Sequence, residues 1–151
     1  MRAGRAATSE EVTELRSKTE LAASYEVMRE LRTHLSQEGY LARLEQMRPR
    51  GYRLLAVKVS DEIVALAGIT FDLNLYWGRH LFVYDLVTAE AHRSKGYGER
   101  LLNHIYELAT EEDCENVALS SGFAREGAHR FYEREGFERT GYTFVKRLED
   151  V

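Results

Sequence analysis

Residues 93–98, RSKGYG, decide the fold of this chain and the kind of ligand that it suits. They follow an apolar run at 81–87 that predicts a buried strand, and they precede a helical pattern with one apolar face. A strand that turns through glycines into a helix presents free backbone N–H groups and the positive end of the helix dipole. The two glycines permit close approach of the backbone, and the Arg and Lys of the segment add positive charge. The segment therefore predicts a site for a diphosphate.

Three kinds of glycine loop compete for this segment. A Walker-type loop needs Gly-Lys-Ser/Thr, and neither Gly96 nor Gly98 is followed by Lys. The dinucleotide pattern G-x-G-x-x-G begins with these two glycines, but Leu101 occupies the third glycine position and would hold the helix away from the strand. The pattern that remains is Arg-x-x-Gly-x-Gly. A tight strand-to-helix turn that binds nothing stays open as the alternative, because short motifs also match by chance.

A second segment, 128–137 (AHRFYEREGF), predicts a short helix that carries a Phe-Tyr pair and ends at Gly-Phe. Gly136 suits the position after the helix C-cap, where the dihedral φ is often positive. With the glycine loop, with DLVT at 85–88 and with LSSG at 119–122, this segment resembles the GNAT acetyltransferases, and small-molecule N-acetyltransferases in particular. The resemblance covers about residues 12–148, and related patterns occur in aminoalkylphosphonate acetyltransferases.

The resemblance implies an α+β fold. We expect a single-domain GNAT-like fold whose mixed, mostly antiparallel sheet has helices on both faces and a central β-α-β unit that binds acyl-CoA. The order of patterns along the chain agrees, since antiparallel strands come first and a β-α-β unit follows. At 151 residues the chain suffices for one domain with a buried core. That domain is expected at 12–151, after a flexible polar tail at 1–11.

Hydrophobic periodicity predicts the individual elements. The predicted strands are 12–15, 52–59, 63–71, 81–88, 116–121 and 142–148, with a hairpin turn at 60–62 and a loop at 73–79. The predicted helices are 20–34, 36–47, 97–112 and 125–135. Pro49 closes the second helix, because the residue before a proline disfavours the helical conformation.

The resemblance also implies which residues hold acetyl-CoA, the co-substrate. The loop residues in this role are Arg93, Ser94, Lys95, Gly96, Tyr97, Gly98 and Glu99. Leu86, Val87 and Thr88 are expected to pair with the pantetheine arm through backbone groups, as an added strand does. One N–H there would polarise the thioester carbonyl. Arg125 stands where many family members carry Asn, so its contact with a phosphate, with an anionic substrate group or with solvent stays open.

Tyr132 is the candidate general acid. By the resemblance, it falls at the family's general-acid position on the short helix. A phenol is protonated at neutral pH and can donate to the departing CoA thiolate. The alternative is an aromatic anchor beside Phe131.

Asp85 is the candidate base or amine anchor. It interrupts an apolar strand, where a carboxylate is costly without a partner. Strand alternation places it on one face with Val83 and Val87. A structural Asp at a strand end is the alternative, and His80 and His34 are further candidates for the base.

Composition narrows the class of protein. Apolar residues make up 44% and charged residues 30%, as in ordinary globular proteins. A net charge of −4 argues against a nucleic-acid binder, and no apolar run approaches the roughly 18 residues of a membrane span. The first residues lack the apolar run of a secretory signal. One cysteine, Cys114, forms no internal disulfide and has no Cys or His at ligand spacing, so we expect a cytoplasmic protein without a metal.

The sequence favours an N-acetyltransferase that moves an acetyl group from acetyl-CoA to the primary amine of a small molecule, by direct attack in a ternary complex. Two alternatives stay open: a protein lysine or N-terminal acetyltransferase, and an acyl-CoA-binding sensor without turnover. The aromatic residues that shape an acceptor pocket, or belong to the core, are Tyr40, Tyr76, Trp77 and Tyr84. A homodimer is compatible with the sequence, which does not determine the oligomeric state.

Overall fold

The computed structural model of the protein describes residues 11–122 and 125–148. The chain divides into two compact units, Met1–Leu119 and Ser120–Val151, and each is considered by itself. The tail predicted at 1–11 lies outside the described residues, apart from Glu11.

A five-stranded sheet in the order β1-β2-β3-β4-β5 forms the frame of the first unit. Its strands are β1 Val12–Leu15, β2 Arg53–Val59, β3 Glu62–Asn74, β4 Gly78–Thr88 and β5 Asn116–Leu119. The first four strands pair antiparallel with their neighbours, and β5 pairs parallel with β4. Ser60 and Asp61, with φ angles of 52° and 69°, join β2 to β3 in a tight hairpin turn. The mixed, mostly antiparallel sheet of the predicted α+β fold is thus confirmed.

Among the described residues of this unit are three α-helices, α1 Lys18–Met28, α2 Gln37–Met47 and α3 Tyr97–Glu111. A capping box starts α1. The Ser17 hydroxyl accepts from the Glu20 N–H at 3.1 Å, and the Glu20 carboxylate accepts from the Ser17 N–H at 3.2 Å. Hydrogen bonds from the backbone N–H groups of Arg16 and Ser17 lower the pKa of Glu20 to about 2.

The two largest boundary differences from the prediction concern the end of the first helix and the loop between β3 and β4. The first helix ends at Met28 rather than at residue 34, because the N–H groups of Glu30 and Leu31 bond to the third carbonyl back and tighten the last turn. β3 and β4 extend through most of the predicted 73–79 loop, since their pairing continues as far as Asn74 and Gly78. The turn between them is reduced to residues 75–77.

Apolar side chains cover both faces of the sheet. One face packs with α1 and α2 into a core that includes Leu54 and Leu66. The alternate residues, Leu55 and Ala65 among them, are equally buried but point the other way. α3 contacts β2, β3 and β4 and takes no part in the first core, so it covers this second face. Helices on both faces are therefore confirmed.

Among its described residues the second unit holds one helix, α4 Glu126–Arg134. Gly136 follows this helix with a φ of 97°, which confirms the positive φ predicted for this glycine. The strand predicted at 142–148 is wrong: 137–147 has irregular backbone, and Tyr142 and Phe144 are exposed. An alternating apolar pattern becomes a strand only where its backbone groups find a partner strand, and none occurs in the described part of this unit.

Candidate active site

The predicted glycine loop forms the N-terminus of α3. Gly96 is the N-cap residue, with φ 85° and ψ 11°, a left-handed conformation that suits glycine. No described side chain caps this end of the helix, so the N–H groups of its first turn are available to an outside acceptor. A Cβ on Gly96 would meet no atom within 4 Å, hence the backbone here is open. The start of a 15-residue helix with these properties suits a phosphate.

Basic side chains flank this loop. Arg93 and Lys95 are exposed, and Arg93 Nε donates to the Thr88 carbonyl at 3.3 Å. Arg93 also lies 3.8 Å from the Glu30 carboxylate, a long ion pair that solvent screens. Ser94 has φ 65°, so a second left-handed residue helps to close the turn. The loop therefore offers positive charge that an incoming phosphate can engage.

The other loop residues belong to the first turn of α3. The Tyr97 ring is buried, so a cofactor reaches only its backbone, whereas Glu99 is exposed. A cavity of about 440 Å³ adjoins this turn and is lined by Glu11, Val12, Gly96, Glu99, Arg100, Asn103, His104 and Glu107. Its three carboxylates disfavour a diphosphate, and we do not assign this cavity to the cofactor.

Strand β4 leaves one edge open close to the loop. β5 pairs only with residues 80–83 of β4, because it ends at Leu119 rather than at 121 as predicted. From 85 to 88, β4 is paired with β3 on one side, and among the described residues of the first unit it has no strand on the other side. Leu86, Val87 and Thr88 lie in this stretch, where backbone groups that point away from β3 suit an added strand. The Val87 side chain is buried, so its predicted role depends on its backbone.

A bulge at Tyr84 changes which side chains share a face. Asp85 and Val83 pair with two consecutive residues of β3, so Tyr84 is an extra residue in β4. Consecutive residues of β3 point to opposite faces of the sheet, and each paired residue of β4 points to the same face as its partner in β3. Asp85 therefore lies on the side of α1 and α2 with Val87, and Val83 lies on the α3 side. The prediction that all three share one face is wrong for Val83, because simple alternation does not register an inserted residue.

Asp85 is the centre of a hydrogen-bond network that was not predicted. Its Oδ1 accepts from Arg32 Nε at 2.8 Å and lies 2.8 Å from Arg32 Nη2. Its Oδ2 accepts from the Tyr52 hydroxyl at 2.7 Å. Arg32 Nη2 also donates to the Tyr84 carbonyl at 2.7 Å, which ties the network to the bulge. The Asp85 side chain is 11% exposed and that of Arg32 39%, so solvent screens the pair only in part.

Two tyrosines near this network have raised pKa values, chiefly because they are buried. Burial, followed by the negative charge of Asp85, raises the pKa of Tyr52 well above its usual value of 10. Burial likewise raises the pKa of Tyr40 to about 12, although its hydrogen bond with Ser24 acts in the opposite direction. Both phenols are therefore protonated at neutral pH, and Tyr52 is a donor to Asp85. Tyr40 is 4% exposed, so of its two predicted roles the core is the one observed.

One glycine carried a sequence signal for this network. Gly68 lies in the middle of an apolar strand, where glycine often marks the close approach of another group. A Cβ there would overlap the Tyr52 hydroxyl and lie 2.7 Å from Asp85 Oδ2. Arg32 and Tyr52 have no local signal, since they are 53 and 33 residues away from Asp85 in the sequence.

Tyr132 and Arg125 lie in the second unit. Tyr132 is 8% exposed on α4, and its ring centroid lies 5.7 Å from that of Phe131 and 5.9 Å from that of Phe137. Arg125 precedes the helix and is exposed, and its carbonyl accepts from the His129 N–H at 3.0 Å. Tyr132 thus packs within its own unit, and its role as an acid stays a prediction.

The alternative bases differ in environment. His80 is buried, and its Nδ1 lies 2.9 Å from the Gly78 carbonyl oxygen. A carbonyl only accepts, so Nδ1 carries the proton. His34 is exposed, and Cys114 lies partly exposed in the turn from α3 to β5. In the part of the chain that the structure describes, no three His, Cys, Asp or Glu side chains cluster as metal ligands would.

No described helix has both the length and the apolar character needed to cross a membrane.

Comparison with known proteins identifies the family. The sequence pattern of the acetyltransferase (GNAT) family matches residues 13–137. The chain is 43% identical over 135 residues to YhdJ of Bacillus subtilis (strain 168), an uncharacterised N-acetyltransferase, with 88% of this chain and 95% of that protein covered. It is 28% identical over 113 residues to the aminoalkylphosphonate N-acetyltransferase of Salmonella typhimurium (strain LT2), with 74% and 71% covered.

A solved structure supports the same fold. The aminoglycoside N-acetyltransferase AAC(6')-Iy, in complex with CoA, matches with a TM-score of 0.80 over 91% of this chain and 93% of that one. The identity is 14%, so this likeness concerns the fold alone. The family pattern spans most of the chain, and the similarity to YhdJ extends over 88% of it. The chain therefore belongs to the GNAT family of acetyltransferases, which are acyltransferase enzymes.

Proposed function

We propose that the protein is an N-acetyltransferase that moves an acetyl group from acetyl-CoA to the primary amine of a small molecule, by direct attack in a ternary complex. The observation that carries the proposal is the uncapped start of α3 at Gly96, joined to the open edge of β4 by the Arg93–Thr88 hydrogen bond. A diphosphate at the loop and an arm along 84–88 is the arrangement that a CoA thioester requires. One catalytic domain at 12–151, a cytoplasmic location and a homodimer remain predictions.

In this proposal, backbone groups of the glycine loop and of β4 make most of the contacts with acetyl-CoA. The loop residues at 93–99 bind the diphosphate through N–H groups and through the charges of Arg93 and Lys95. The stretch from Leu86 to Thr88 pairs with the pantetheine arm. Arg125 binds a phosphate or an anionic group of the acceptor, since its guanidinium suits either partner.

The acceptor must lose a proton before it attacks. An alkyl amine with a pKa near that of lysine, about 10.4, is more than about 99% protonated at neutral pH. Supplying the neutral amine therefore costs about 4–5 kcal/mol unless a base or a water chain assists. Tyr132 is proposed as the acid that protonates the departing thiolate. Exclusion of water from the site would strengthen both the interaction that takes up the amine proton and the interaction of Tyr132 with the thiolate.

Asp85 is proposed to act near the bulge, either as base or amine anchor or as a positioning group. Its contacts favour positioning: both oxygens already accept hydrogen bonds, from Arg32 and from Tyr52. Arg32 occupies Oδ1, so a proton from the amine would have to use the remaining acceptor site on Oδ2, beside the Tyr52 hydroxyl. Arg32 holds the Tyr84 carbonyl at the same time, so the carboxylate fixes the backbone of the bulge through it.

Asp85→Asn separates these roles. A positioning role predicts a free energy of unfolding lower by about 1–3 kcal/mol, because a charged hydrogen bond is lost, with an unchanged pH–rate profile in the surviving enzyme. A base or amine anchor predicts instead a loss of activity at neutral pH that recovers in part at high pH, where more amine is neutral. We expect the first result, measured by melting temperature and pH–rate profile on the same variant. Arg32→Lys is the control for positioning, because it keeps the charge but loses the forked contact.

The function itself is tested by thiol release from acetyl-CoA. We expect release with small primary amines and little with peptides that carry a lysine or a free N-terminus. A preference for the peptides would instead identify a protein acetyltransferase. Binding of CoA without thiol release with any acceptor would identify a sensor.

A further inference from the structure

A continuous row of aromatic rings runs along one face of the β3–β4 hairpin. We call it the aromatic row, and it consists of Tyr76, Trp77, His80, Phe82 and Tyr84. Ring centroids lie 4.8 Å apart for Tyr76–Trp77, 5.2 Å for Trp77–His80, 6.2 Å for Trp77–Phe82 and 4.7 Å for Phe82–Tyr84. The end residues Tyr76 and Tyr84 are 76% and 46% exposed. The rings meet in tilted and edge-on contacts, with interplanar angles between 32° and 68°, and solvent reaches the row at both ends.

Strand geometry and turn contacts hold the row in place. Its β4 members alternate with Leu81 and Val83, which are buried on the opposite face. In the turn, the Trp77 N–H donates to Asn74 Oδ1 at 2.6 Å, and Asn116 Nδ2 donates to the Trp77 carbonyl at 2.8 Å. The backbone below the indole is thus fixed before any ligand arrives.

Carboxylates lie next to the turn end of the row. Asp72 is exposed and pairs with His80 across the strands, so its side chain shares the face of the row. The Glu115 carboxylate occupies the space that a side chain on Gly78 would take, with Oε2 2.5 Å from that Cβ position. Two carboxylates beside π-faces make this end attractive to a cation.

The nearby cation of the hairpin points away from the row. Arg79 packs over the ring of Phe71 at 5.7 Å and pairs with Glu112 at 3.1 Å, both toward α3.

Thr70 pairs with Phe82 across the strands and therefore shares the face of the aromatic row. Its buried hydroxyl has no hydrogen-bond partner within the described ranges, 11–122 and 125–148. A buried hydroxyl without a partner is unfavourable and is satisfied by a polar ligand group.

We infer that the aromatic row binds the body of the acceptor, and that the acceptor is a diamine or polyamine with a second ammonium group. This inference rests on the proposed function, because the reacting amine then lies at the Tyr84 end, near the open edge of β4. The second ammonium lies at the Trp77 end, between the carboxylates of Asp72 and Glu115. His80, opposite Asp72, lies four residues along β4 from Tyr84, and Gly78, beside Glu115, lies six, so the two amines are separated by roughly 13–20 Å. An aminoalkylphosphonate would place an anion against these carboxylates and is disfavoured.

Trp77 provides a direct readout, because it is the only tryptophan in the chain. The folded protein is titrated with a series of straight diaminoalkanes of increasing length while its intrinsic fluorescence is followed. A monoaminoalkane and an aminoalkylphosphonate of matched length are titrated alongside. We expect saturable binding that is roughly three- to thirtyfold tighter for the best diamine than for either matched compound. Equal affinity for all three compounds would overturn the inference.

Matched variants locate the binding on the row. Phe82→Leu and Asp72→Asn should each weaken diamine binding about threefold or more. Phe71→Leu on the opposite face and Asp61→Asn in the distant β2–β3 turn should leave it unchanged. Equal losses in the row variants and in these controls would overturn the assignment. Asp72 is exposed, so its variant keeps the test valid if Phe82→Leu does not fold.

Thiol release separates this inference from the proposed function. Diamine-dependent release with a lower KM than the matched monoamine supports both. Release with other amines but no preference for diamines removes the inference and leaves the proposed function. Diamine binding without release with any amine overturns the acceptor role of the row together with the proposed function.

Discussion

Gly96→Asp weakens the binding of acetyl-CoA about tenfold or more while the protein remains folded. The aspartate places a negative charge at the start of α3, where the diphosphate is expected, and charge repulsion of about 1.4 kcal/mol or more corresponds to that loss. A Cβ at this position meets no atom of the protein, so the fold is disturbed only by the positive φ of 85°. That strain costs about 1–2 kcal/mol of stability. Calorimetric titration with acetyl-CoA measures the affinity.

Gly51→Asp is the matched control for backbone strain. Gly51 also has a positive φ, 106°, and open space around its Cβ position, but it lies after α2, outside the glycine loop. The Gly51→Asp variant should lose as much free energy of unfolding as Gly96→Asp does, and it should bind acetyl-CoA as tightly as the wild type. If Gly96→Asp binds acetyl-CoA as tightly as the wild type does, the loop is not the diphosphate site.

Tyr132→Phe lowers kcat by about 10²-fold and leaves acetyl-CoA affinity nearly intact. General acid–base catalysis contributes about 10²–10⁴-fold, and a thiolate is already a reasonable leaving group, which places the effect at the low end. Phenylalanine keeps the ring that packs against Phe131 and Phe137, so the fold should persist. Steady-state rates across the pH range, with melting temperatures for both proteins, measure the effect.

Tyr142→Phe is the control for the loss of a phenol elsewhere in the same unit. Tyr142 is 72% exposed and has no proposed part in the reaction. The kcat of Tyr142→Phe should therefore equal that of the wild type. Equal kcat for wild type and Tyr132→Phe at every pH would remove Tyr132 from the mechanism and leave it as a packing residue.

The sequence by itself determined the order of the strands and helices in the first unit, because periodicity and turn residues act over a few neighbours. The left-handed Gly96 and the helix that follows it were predictable for this reason, as was the positive φ of Gly136. The family could also be recognised, since its two motifs are short continuous segments. The strand predicted at 142–148 failed, because a strand requires a partner that periodicity does not supply.

Only the tertiary structure decided the contacts of the candidate site. The bulge at Tyr84 depends on the register between β3 and β4, and it reverses the face of Val83 relative to Asp85. Arg32 and Tyr52 meet Asp85 from distant parts of the chain, so no local pattern could pair them. The aromatic row likewise becomes one surface only when a tight turn brings Trp77 over the strand that carries Phe82. Local sequence sets backbone conformation, whereas side-chain neighbours far apart in the chain are set by how the elements pack.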